Sequence, residues 1–413
     1  MKRRVVVTGL GLVTPIGIGK EAVWQRLHTA ESAVATIARF DSSPFRSHIA
    51  AEINDFDAVA MLSAKQARRT DRCSQLALAA ARLALEDAGL DLSGESPDRV
   101  GVMMGTALGG IGFAEQENTK YVQGGAREVD PLLALTVFGG AVSCNIAITH
   151  GVSGLNSTNA MSCASGTLAI GEAFRAVAGG QVDVVLAGGS EAPLYPLCYG
   201  SFSLIRAMST RNDDPATASR PFDRGRDGFV MAEGAALLVI ESLDHAIARG
   251  ARIYAEVAGY GLTNDAHHMT QPRPDGREAI RAMRLALREA ECAPAEVAWV
   301  NAHGSSTTLN DGTEARAIRE VFGEHTDRLP VSGTKGWHGH ALGASGAIET
   351  AISCLAIERS WIPTTLNCRD PDPAGQLCHV PEGGLALRPN AVLKNSFGFG
   401  GSNATLLLRA LAM

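Results

Sequence analysis

The sequence predicts an α/β protein in which helices cover both faces of the sheets. Short β-branched apolar runs bounded by glycine alternate with longer alanine-rich stretches of helical character, which is the pattern of sheets buried on both faces. The chain of 413 residues is 46% apolar and 19% charged. It can therefore bury a large core and lacks the polarity of a disordered chain.

Six strands and five helices are predicted. The strands are short apolar runs that stop at glycine or a polar turn. The helices are longer. The helix 164–178 has an apolar stripe and ends at Gly179 and Gly180. The predicted strands are 5–8, 100–104, 182–186, 235–240, 297–301 and 405–408. The predicted helices are 63–88, 164–178, 276–290, 311–321 and 343–358.

The same order of signals occurs in both halves of the chain. In each half a strand runs into a glycine turn, a second strand ends in a glycine-rich segment, and reactive residues precede a helix. This order predicts two similar halves, 1–250 with a candidate nucleophile and 251–413 with two histidines, joined in one catalytic unit. The polar segments 209–228 and 262–277 are predicted to be long surface loops.

Composition disfavours several classes of function. The net charge of −6 argues against nucleic-acid binding, because clustered Lys and Arg hold a phosphate backbone. The eight cysteines are scattered without a CxxC pair, which is typical of reduced thiols in a cytoplasmic protein rather than of a zinc site or a disulfide scaffold. No run reaches the roughly 18 apolar residues of a membrane helix, and the start at Val5 is predicted to be a strand rather than a signal peptide.

Cys163 is the strongest candidate for a nucleophile. It lies in Ser-Cys-Ala-Ser-Gly-Thr, immediately before a predicted helix, where backbone N–H groups and the helix dipole favour thiolate over thiol. The small residues Ala164, Ser165 and Gly166 leave room for a substrate. The alternative is a small buried apolar side chain, which is the usual role of a cysteine and the one we assign to the other seven.

Two histidines are candidates to manage protons and developing negative charge for such a thiolate. His303 lies in Asn-Ala-His-Gly at a strand end, and His340 lies in Gly-His-Ala-Leu-Gly before a helix. Lys335 could tune the local charge and Glu349 could neutralise it, or the two could form a plain surface ion pair. A metal site that joins His338 to these histidines is a further alternative, but no carboxylate or fourth ligand is placed nearby. We therefore expect no metal.

Two common motifs are incomplete. Gly9-Leu-Gly11 follows a strand, but Thr14 replaces the third glycine of a dinucleotide-binding fingerprint. The segment 188–192 lacks the last glycine of a hydrolase nucleophile elbow. Neither motif therefore supports a nucleotide cofactor or hydrolase chemistry.

Four ordered motifs resemble one family of condensing enzymes. They are Cys-Ala-Ser-Gly at Cys163, Asn-Ala-His-Gly at His303, Gly-His-Ala-Leu-Gly-Ala-Ser-Gly at His340 with Lys335 before it, and Asn-Ser-Phe-Gly-Phe-Gly-Gly at 395–401. At this spacing the chain is similar, nearly end to end, to the elongating β-ketoacyl-[acyl carrier protein] synthases of the synthase II branch. The resemblance implies the thiolase fold, with a five-layered αβαβα core, in a homodimer that uses no cofactor beyond the phosphopantetheine of an acyl carrier protein.

The resemblance also implies a reaction. Cys163 would take an acyl group from a carrier thioester, with the backbone N–H groups of Cys163 and Phe399 as the oxyanion hole. His303 and His340 would polarise the malonyl-carrier thioester and stabilise the enolate left by decarboxylation, which attacks the acyl group to give a 3-oxoacyl carrier and CO2. Lys335, paired with Glu349, would support this centre.

Six further positions match family roles around the substrate. The matches are Ser305 and Thr307 for phosphopantetheine binding, Phe399 for gating, Asp265 for the loop opposite it, and Leu108 and Phe202 for the acyl pocket. These roles come from the resemblance and not from the residues alone.

Basic residues are predicted to dock the acidic carrier protein. Lys65, Arg68, Arg69 and Arg72 are spaced three, four and seven apart in the helix predicted from Ser63, so they share one face. A solvated charged face is the alternative from spacing alone. The resemblance implies docking through Lys65, Arg68, Arg69, Arg127 and Arg206.

Several residues depart from the pattern of housekeeping members. Met161 and Ser162 replace the usual Thr-Ala, Ser305 replaces a threonine, and Trp337 and His338 stand where Ser, Met or Thr is usual. A specialised synthase that builds a polyketide or polyene is therefore a serious interpretation beside fatty acid elongation. Bulky residues that pack differently around the same site are the alternative.

Three other functions fit the sequence less well. A degradative thiolase needs a second cysteine near the C-terminus, whereas the last cysteine is Cys378. An initiating synthase uses Cys-His-Asn, whereas His340 gives Cys-His-His. A non-catalytic chain-length partner subunit typically lacks the nucleophile, whereas Cys163 is present, and a heterodimer with such a partner stays open.

Overall fold

The computed structural model describes residues 3–373 and 375–411. Over these ranges the strands, numbered β1 to β14, are Val5–Thr14, Gly17–Ile18, Ala35–Thr36, Ile49–Ala50, Val100–Gly105, Asn156–Asn159, Val184–Glu191, Gly234–Ser242, Ala255–Asn264, Trp299–Asn301, Pro330–Ser332, Cys378–His379, Ala391–Gly398 and Ser402–Arg409. The α-helices, numbered α1 to α14, are Lys20–Leu27, Ala58–Met61, Ala64–Arg69, Arg72–Ala88, Ile111–Gly124, Leu133–Thr136, Ala141–His150, Ser165–Ala178, Pro196–Leu204, Leu243–Ala248, Arg277–Glu289, Thr308–Phe322, Lys335–His338 and Leu342–Arg359.

One large sheet repeats its strand order in the two halves of the chain. From edge to centre the first half runs β6-β5-β7-β8-β1, and the second half runs β11-β10-β13-β14-β9 with β12 added outside. β1 and β9 pair antiparallel at the centre. In each half the two inner pairs are antiparallel and the next two are parallel. An internal repeat produces such an order, while the boundary at residue 250 stays a prediction.

The helices form three layers around the two halves of the sheet. α8 and α14 pack in the middle, each against strands of both halves. α4 covers β1 and β8 from outside, and α11 covers β9 and β14. The order helix, sheet, helix, sheet, helix confirms the predicted αβαβα core of the thiolase fold.

Glycines within β1 and β9 bring the outer helices against the strand backbone. A Cβ at Gly11 would lie 1.9 Å from the Ala80 carbonyl oxygen of α4, and a Cβ at Gly261 would lie 1.9 Å from the Ala282 carbonyl oxygen of α11. The sequence predicts turns at these glycine segments, but both strands continue through them. The glycines are needed for close helix packing and not for a change of chain direction.

The predicted helix 63–88 is two helices, α3 and α4. Thr70 is extended, and the Asp71 side chain caps α4 by accepting hydrogen bonds from two backbone N–H groups. Arg72 therefore does not lie on the predicted basic face, because its guanidinium turns inward to the buried carboxylate of Glu233 at 2.7 Å. The prediction that four basic residues share one helical face is therefore wrong for Arg72.

The remaining predicted elements are present with shifted ends. The strand predicted at 182–186 is β7, which begins later and runs to Glu191. The segment 209–228 contains a short 3₁₀ turn, whereas 262–277 begins with the last residues of β9. Among the described residues, no helix is long and apolar enough to cross a membrane.

Candidate active site

Cys163 lies at the junction that the sequence predicts. The turn Ser162–Ala164 leads into α8, and Ser162 has a left-handed backbone with a φ of 51°. Gly398 lies against this turn, since a Cβ added to it would be 3.2 Å from the Cys163 nitrogen. Cys163 is thus held between the start of α8 and the end of β13, with 7% of its surface exposed.

His303 and His340 come to this junction from the second half of the chain. His303 follows β10, and His340 follows α13. Their ring centroids are 5.3 Å apart, with the ring planes at 77°. Both residues line one cavity of about 270 Å³ together with Cys163. The three side chains predicted to be catalytic therefore share one site.

The ring nitrogens of both histidines have defined partners. Lys335 Nζ lies 3.4 Å from His303 Nδ1, and because an ammonium only donates, His303 accepts at Nδ1 and carries its proton on Nε2. The Ser345 hydroxyl lies 2.8 Å from His340 Nδ1 and holds the same tautomer when it donates. Burial first, and then the charge of Lys335, keep the pKa of both imidazoles well below the usual value. Both rings are therefore neutral at pH 7.

Lys335 and Glu349 form a buried ion pair. Their side chains are at most 1% exposed, so the alternative of a plain surface pair is wrong. The Lys335 ammonium also donates to the His303 carbonyl oxygen. One lysine thereby holds both the backbone and the ring of His303.

A second buried lysine, Lys394, joins this cluster and was not predicted. Its Nζ lies 2.6 Å from Glu349 Oε2. Burial would raise the pKa of Glu349, but Lys335 and Lys394 together hold it below its usual value. Burial lowers the pKa of Lys394 itself to about 8. The only signal in the sequence is a lone lysine after the apolar residues of β13.

The resting form of Cys163 differs from the predicted thiolate. Burial raises the pKa of the thiol, and the Ser162 hydroxyl, the charge of Lys335 and the Phe399 N–H group offset this effect only in part. Desolvation is the larger influence at the start of α8. Cys163 is therefore a thiol at pH 7 in the free protein.

Two loops face each other at the mouth of the cavity. Phe399 begins the turn between β13 and β14, and Asp265 follows β9. The Asp265 N–H group donates to the Gly401 carbonyl oxygen at 2.8 Å, and the Gly400 N–H group donates to that of Met269 at 2.7 Å. Asp265 thus opposes the Phe399 turn as the resemblance implies, and both residues line the cavity.

Ser305 and Thr307 line the same cavity after β10. Their hydroxyl oxygens lie 2.9 Å apart, and Asp311 accepts hydrogen bonds from the backbone N–H groups of Ser305 and Ser306. The two hydroxyls are therefore held at fixed positions beside the entrance. Their predicted contact with phosphopantetheine stays a prediction.

Leu108 and Phe202 belong to the apolar cluster around Cys163. Both pack against a buried group that includes Cys163, Phe229 and Leu342. Phe202 lines the cavity, and its ring stacks with that of Phe399 at a centroid distance of 6.4 Å. Leu108 packs in the cluster but does not line the cavity. Their positions fit the predicted acyl pocket.

Two buried carboxylates hold the backbone on either side of the cavity. Glu314 accepts from the His303 N–H group at 2.8 Å. Glu191 accepts from the N–H groups of Leu108 at 3.1 Å and Gly343 at 3.0 Å. Burial raises the pKa of both to about 7. Neither glutamate was predicted, because their partners lie far away in the sequence or on another element.

The residues predicted to dock the carrier protein are all exposed. Lys65, Arg68 and Arg69 lie on α3, and Arg127 lies in a short turn after α5. Arg206 is the one of the five that the structure places at the cavity. The docking role of the set stays a prediction.

His338 does not join the other two histidines. Its Nε2 lies 3.0 Å from the Thr334 hydroxyl, and the ring is buried without lining the cavity. Over residues 3–373 and 375–411, no cluster of three or more His, Cys, Asp and Glu side chains is arranged to hold a metal ion. The metal-site alternative therefore has no support in this arrangement.

Comparison with known proteins matches nearly the whole chain to the family that the sequence motifs resemble. Residues 2–246 match the family description "Beta-ketoacyl synthase, N-terminal domain", and residues 254–369 match "Beta-ketoacyl synthase, C-terminal domain". The 3-oxoacyl-[acyl-carrier-protein] synthase 2 of Coxiella burnetii is 44% identical over 407 residues, which cover 98% of each chain.

Solved structures of ketosynthases superpose along the full length. A type II PKS ketosynthase, bound to the hexaketide and in complex with its acyl-carrier protein, has a TM-score of 0.92 at 36% identity and covers 100% of both chains. The ishigamide ketosynthase/chain length factor has a TM-score of 0.93 at 34% identity, again over 100% of both chains. The predicted family and fold are confirmed: this chain belongs to the β-ketoacyl synthase family.

Proposed function

We propose that this ketosynthase catalyses the decarboxylative condensation of an acyl group held on Cys163 with malonyl-[acyl carrier protein], which yields a 3-oxoacyl carrier two carbons longer and CO2. The observation that carries the proposal is the meeting of one thiol and two neutral imidazoles in one cavity. A thiol is a nucleophile that can hold an acyl group. Two Nε2–H donors suit an oxygen that becomes negative.

In the first step Cys163 takes the acyl group. Its proton leaves to His340 Nε2, which is free to accept it when the Ser345 hydroxyl accepts from His340 Nδ1–H, and the thiolate attacks the carbonyl carbon of the acyl-carrier thioester. The backbone N–H groups of Cys163 and Phe399 stabilise the tetrahedral oxyanion. The C–S bond to the carrier then breaks, and the carrier thiolate takes up the proton. The Ser345 hydroxyl can accept from or donate to His340 Nδ1, so His340 can take up and return this proton at Nε2, whereas Lys335 keeps the proton of His303 on Nε2.

In the second step the malonyl group loses CO2. The carbon–carbon bond to the carboxylate breaks, and its electron pair forms an enolate on the thioester oxygen. The Nε2–H groups of His303 and His340 stabilise that oxygen. The enolate carbon attacks the acyl-cysteine, the C–S bond breaks, and the Cys163 thiolate takes up a proton from solvent. No step needs a metal or a redox cofactor, and we propose that the enzyme uses none.

The substrates reach Cys163 on the phosphopantetheine arm of a carrier protein. Ser305 and Thr307 present hydroxyls along the entrance, which suits the amide groups of such an arm. Exposed basic side chains complement an acidic carrier and speed the encounter. They are Lys65, Arg68, Arg69, Arg127 and Arg206.

The large sheet is open, with β12 at one end and β6 at the other. β6 ends the strand order, and its residues are partly exposed. Ile148, Leu155 and Met161 expose apolar side chains near this strand, by 79%, 37% and 48%. An exposed edge with an apolar rim favours pairing with another chain. We propose a homodimer through this edge, and a heterodimer with a ketosynthase-like partner as the second candidate.

The pathway is fatty acid or polyketide chain elongation in the cytoplasm. Similarity to a 3-oxoacyl-[acyl-carrier-protein] synthase 2 supports the first pathway, and similarity to a type II PKS ketosynthase supports the second. All eight cysteines are free, which suits a reducing compartment. Phe202 and Leu108, which pack around Cys163, are the residues expected to select the acyl chain.

The test is a reaction of the purified protein with acyl carriers of several chain types and malonyl carrier. Intact mass follows acylation of the protein, and mass of the carrier follows the product. We expect an acyl adduct and a 3-oxo extension with wild type and with the control Cys144→Ala, and neither with Cys163→Ala. A folded wild type that accepts no acyl chain would contradict the proposal for the isolated chain and favour a missing partner subunit.

A further inference from the structure

Lys394 is a buried ammonium in an otherwise apolar part of β13. Val392 and Leu393 precede it, and none of its surface is exposed. Its Nζ donates to the Asn395 carbonyl oxygen and to Ser396 Oγ at 2.8 Å, and it pairs with Glu349 Oε2 at 2.6 Å. The ammonium therefore makes two hydrogen bonds and one ion pair.

Below pH 7 the cluster around Lys394 holds more positive than negative charge, because burial raises the pKa of Glu314, the other carboxyl that faces it, to about 7. Lys335 and Lys394 share the single carboxylate of Glu349, with one oxygen for each lysine. Burying a charge costs several kcal/mol that a pair repays only in part, and an apolar side chain at 394 would avoid this cost. Stability alone therefore does not account for a lysine at this position. The excess charge lies close enough to act on both His303 and His340.

We propose that Lys394 is a positioning residue for the condensation: it occupies Glu349 Oε2, so that Oε1 stays on Lys335 and Lys335 stays on His303. This inference rests on the proposed function. Without the Lys394 ammonium the carboxylate loses one of its two fixed partners, and Lys335 loses its fixed place at His303 Nδ1. The Nε2–H group of His303 is then no longer held in one direction in the cavity.

Lys394 also widens the pH range in which both catalytic imidazoles are neutral. The titratable and charged groups that face it are Glu349, Lys335, Glu314, His303, His338 and His340. From α8 it meets the uncharged Thr167 through Ser396. Because its pKa is about 8, Lys394 is protonated between pH 5 and 7. Its removal therefore raises the pKa of His303 and His340 toward the usual value.

The test compares the pH dependence of wild type with that of Lys394→Gln, which keeps a hydrogen-bond donor and removes the charge. We expect the acid limb of kcat to move to higher pH by up to about one pH unit, which is a loss of up to about tenfold below the limb; burial and Lys335 act more strongly than Lys394 on both rings. KM for both carriers should not change, because Lys394 touches no substrate. The matched control is Lys20→Gln, which breaks a partly buried pair with Asp87 outside the cavity and should leave the limb in place.

NMR titration of the His303 and His340 rings measures the same shift as a change in pKa, without turnover. Superimposable kinetic profiles and histidine titrations for folded Lys394→Gln and wild type would overturn the inference. Failure of the proposed function looks different, because wild type itself then makes no 3-oxoacyl product at any pH. Where Lys394→Gln does not fold, Lys394→Met keeps the apolar stem of the lysine, and the same upward shift of the acid limb is expected.

Discussion

The two halves of the chain share a strand order and differ in what they bring to the cavity. The first half passes from β6 to α8 through Cys163, beside the apolar side chains of Phe202 and Phe229. The second half passes from β11 to α14 through Lys335 and His340, beside buried charges. One half therefore supplies the nucleophile and an apolar surface, and the other supplies charge and protons.

This division has a physical reason. An acyl chain needs a dry apolar surface, whereas an enolate needs donors and fixed charge close by. One buried carboxylate from each half holds backbone at the cavity: Glu314 binds its own half, whereas Glu191 binds Leu108 in its own half and Gly343 in the other. This difference between the halves predicts that substitutions in one half affect stability and activity differently from substitutions in the other.

The largest effect is expected from Glu349→Gln in the second half. The amide no longer balances Lys335 and Lys394, so both buried ammoniums lose their shared counter-charge. We expect the free energy of unfolding to fall by about 3–5 kcal/mol and condensation to be lost, as measured by denaturant unfolding and product mass. Glu358→Gln on the same helix, α14, is the control, with about 0.5 kcal/mol expected. A stable and active Glu349→Gln variant would contradict the role assigned to buried charge in the second half of the chain.

The next largest effects are expected to distinguish the roles of Glu191 and Glu314, the two carboxylates that accept hydrogen bonds from the backbone. Glu191→Gln and Glu314→Gln each leave a backbone N–H group short of an acceptor, which costs about 1–3 kcal/mol. We expect Glu314→Gln to slow condensation while Cys163 still acylates, because it acts on His303. We expect Glu191→Gln to change the preferred acyl chain, because it acts on Leu108. Identical changes in both variants, scored by intact mass and product mass, would remove the distinction between the halves.

The same two variants have a defined pH dependence. Burial raises the folded-state pKa of Glu191 and Glu314 to about 7, above the ordinary 4.5. The stability that each carboxyl contributes is present in full below pH 4.5 and is lost as the pH rises through 7. The stability of each glutamine variant relative to wild type should therefore rise between pH 4.5 and 7. Denaturant unfolding across this range measures it, and a flat difference contradicts the raised pKa.

A smaller effect is expected on the outer surface of the first half. Reversal of charge at Lys65, Arg68 and Arg69 together should raise KM for the carrier about tenfold and leave kcat unchanged, because these side chains act before the chemistry. Added salt should reduce the difference from wild type. Arg288→Glu on α11 serves as the control in the second half. A change in kcat, or the same KM as wild type, would count against docking at α3.

The smallest effect concerns the start of the two outer helices. Asp71 caps α4 with its side chain, whereas α11 starts at Gly276 without a side-chain cap. Asp71→Ala should lower the free energy of unfolding by about 1 kcal/mol, and Asp71→Asn should lower it by less. Thermal unfolding of the two variants measures the difference. Equal losses would show that the cap does not stabilise the break between α3 and α4.

The sequence predicts the reactive residues of this protein better than their supports. Cys163, His303 and His340 stand at strand–helix junctions with small neighbours, so local signals suffice to find them. The break before Arg72 has a local signal in the cap Asp71, but the inward direction of the Arg72 side chain depends on Glu233, 161 residues away, which no local pattern shows. The raised pKa of Cys163 follows from burial, which also appears only after folding.

The buried charged residues that hold the site in place could not be predicted from local sequence for the same reason. Lys394 looks like a single charge in a strand until Glu349 is placed beside it by α14. Glu191 receives its hydrogen bonds from residues 83 and 152 positions away. Local sequence shows which side chains can react, and long-range packing decides their charge.

The most direct test starts from protein whose Cys163 already carries an acyl group. Malonyl carrier labelled in its free carboxylate is added, and labelled CO2 and the intact mass of the protein are followed together in wild type and His303→Ala. We predict that wild type releases CO2 as the acyl mass disappears, and that His303→Ala keeps the acyl group and releases CO2 at least about 100-fold more slowly. Condensation by His303→Ala at the wild-type rate would contradict the division of roles between the two halves.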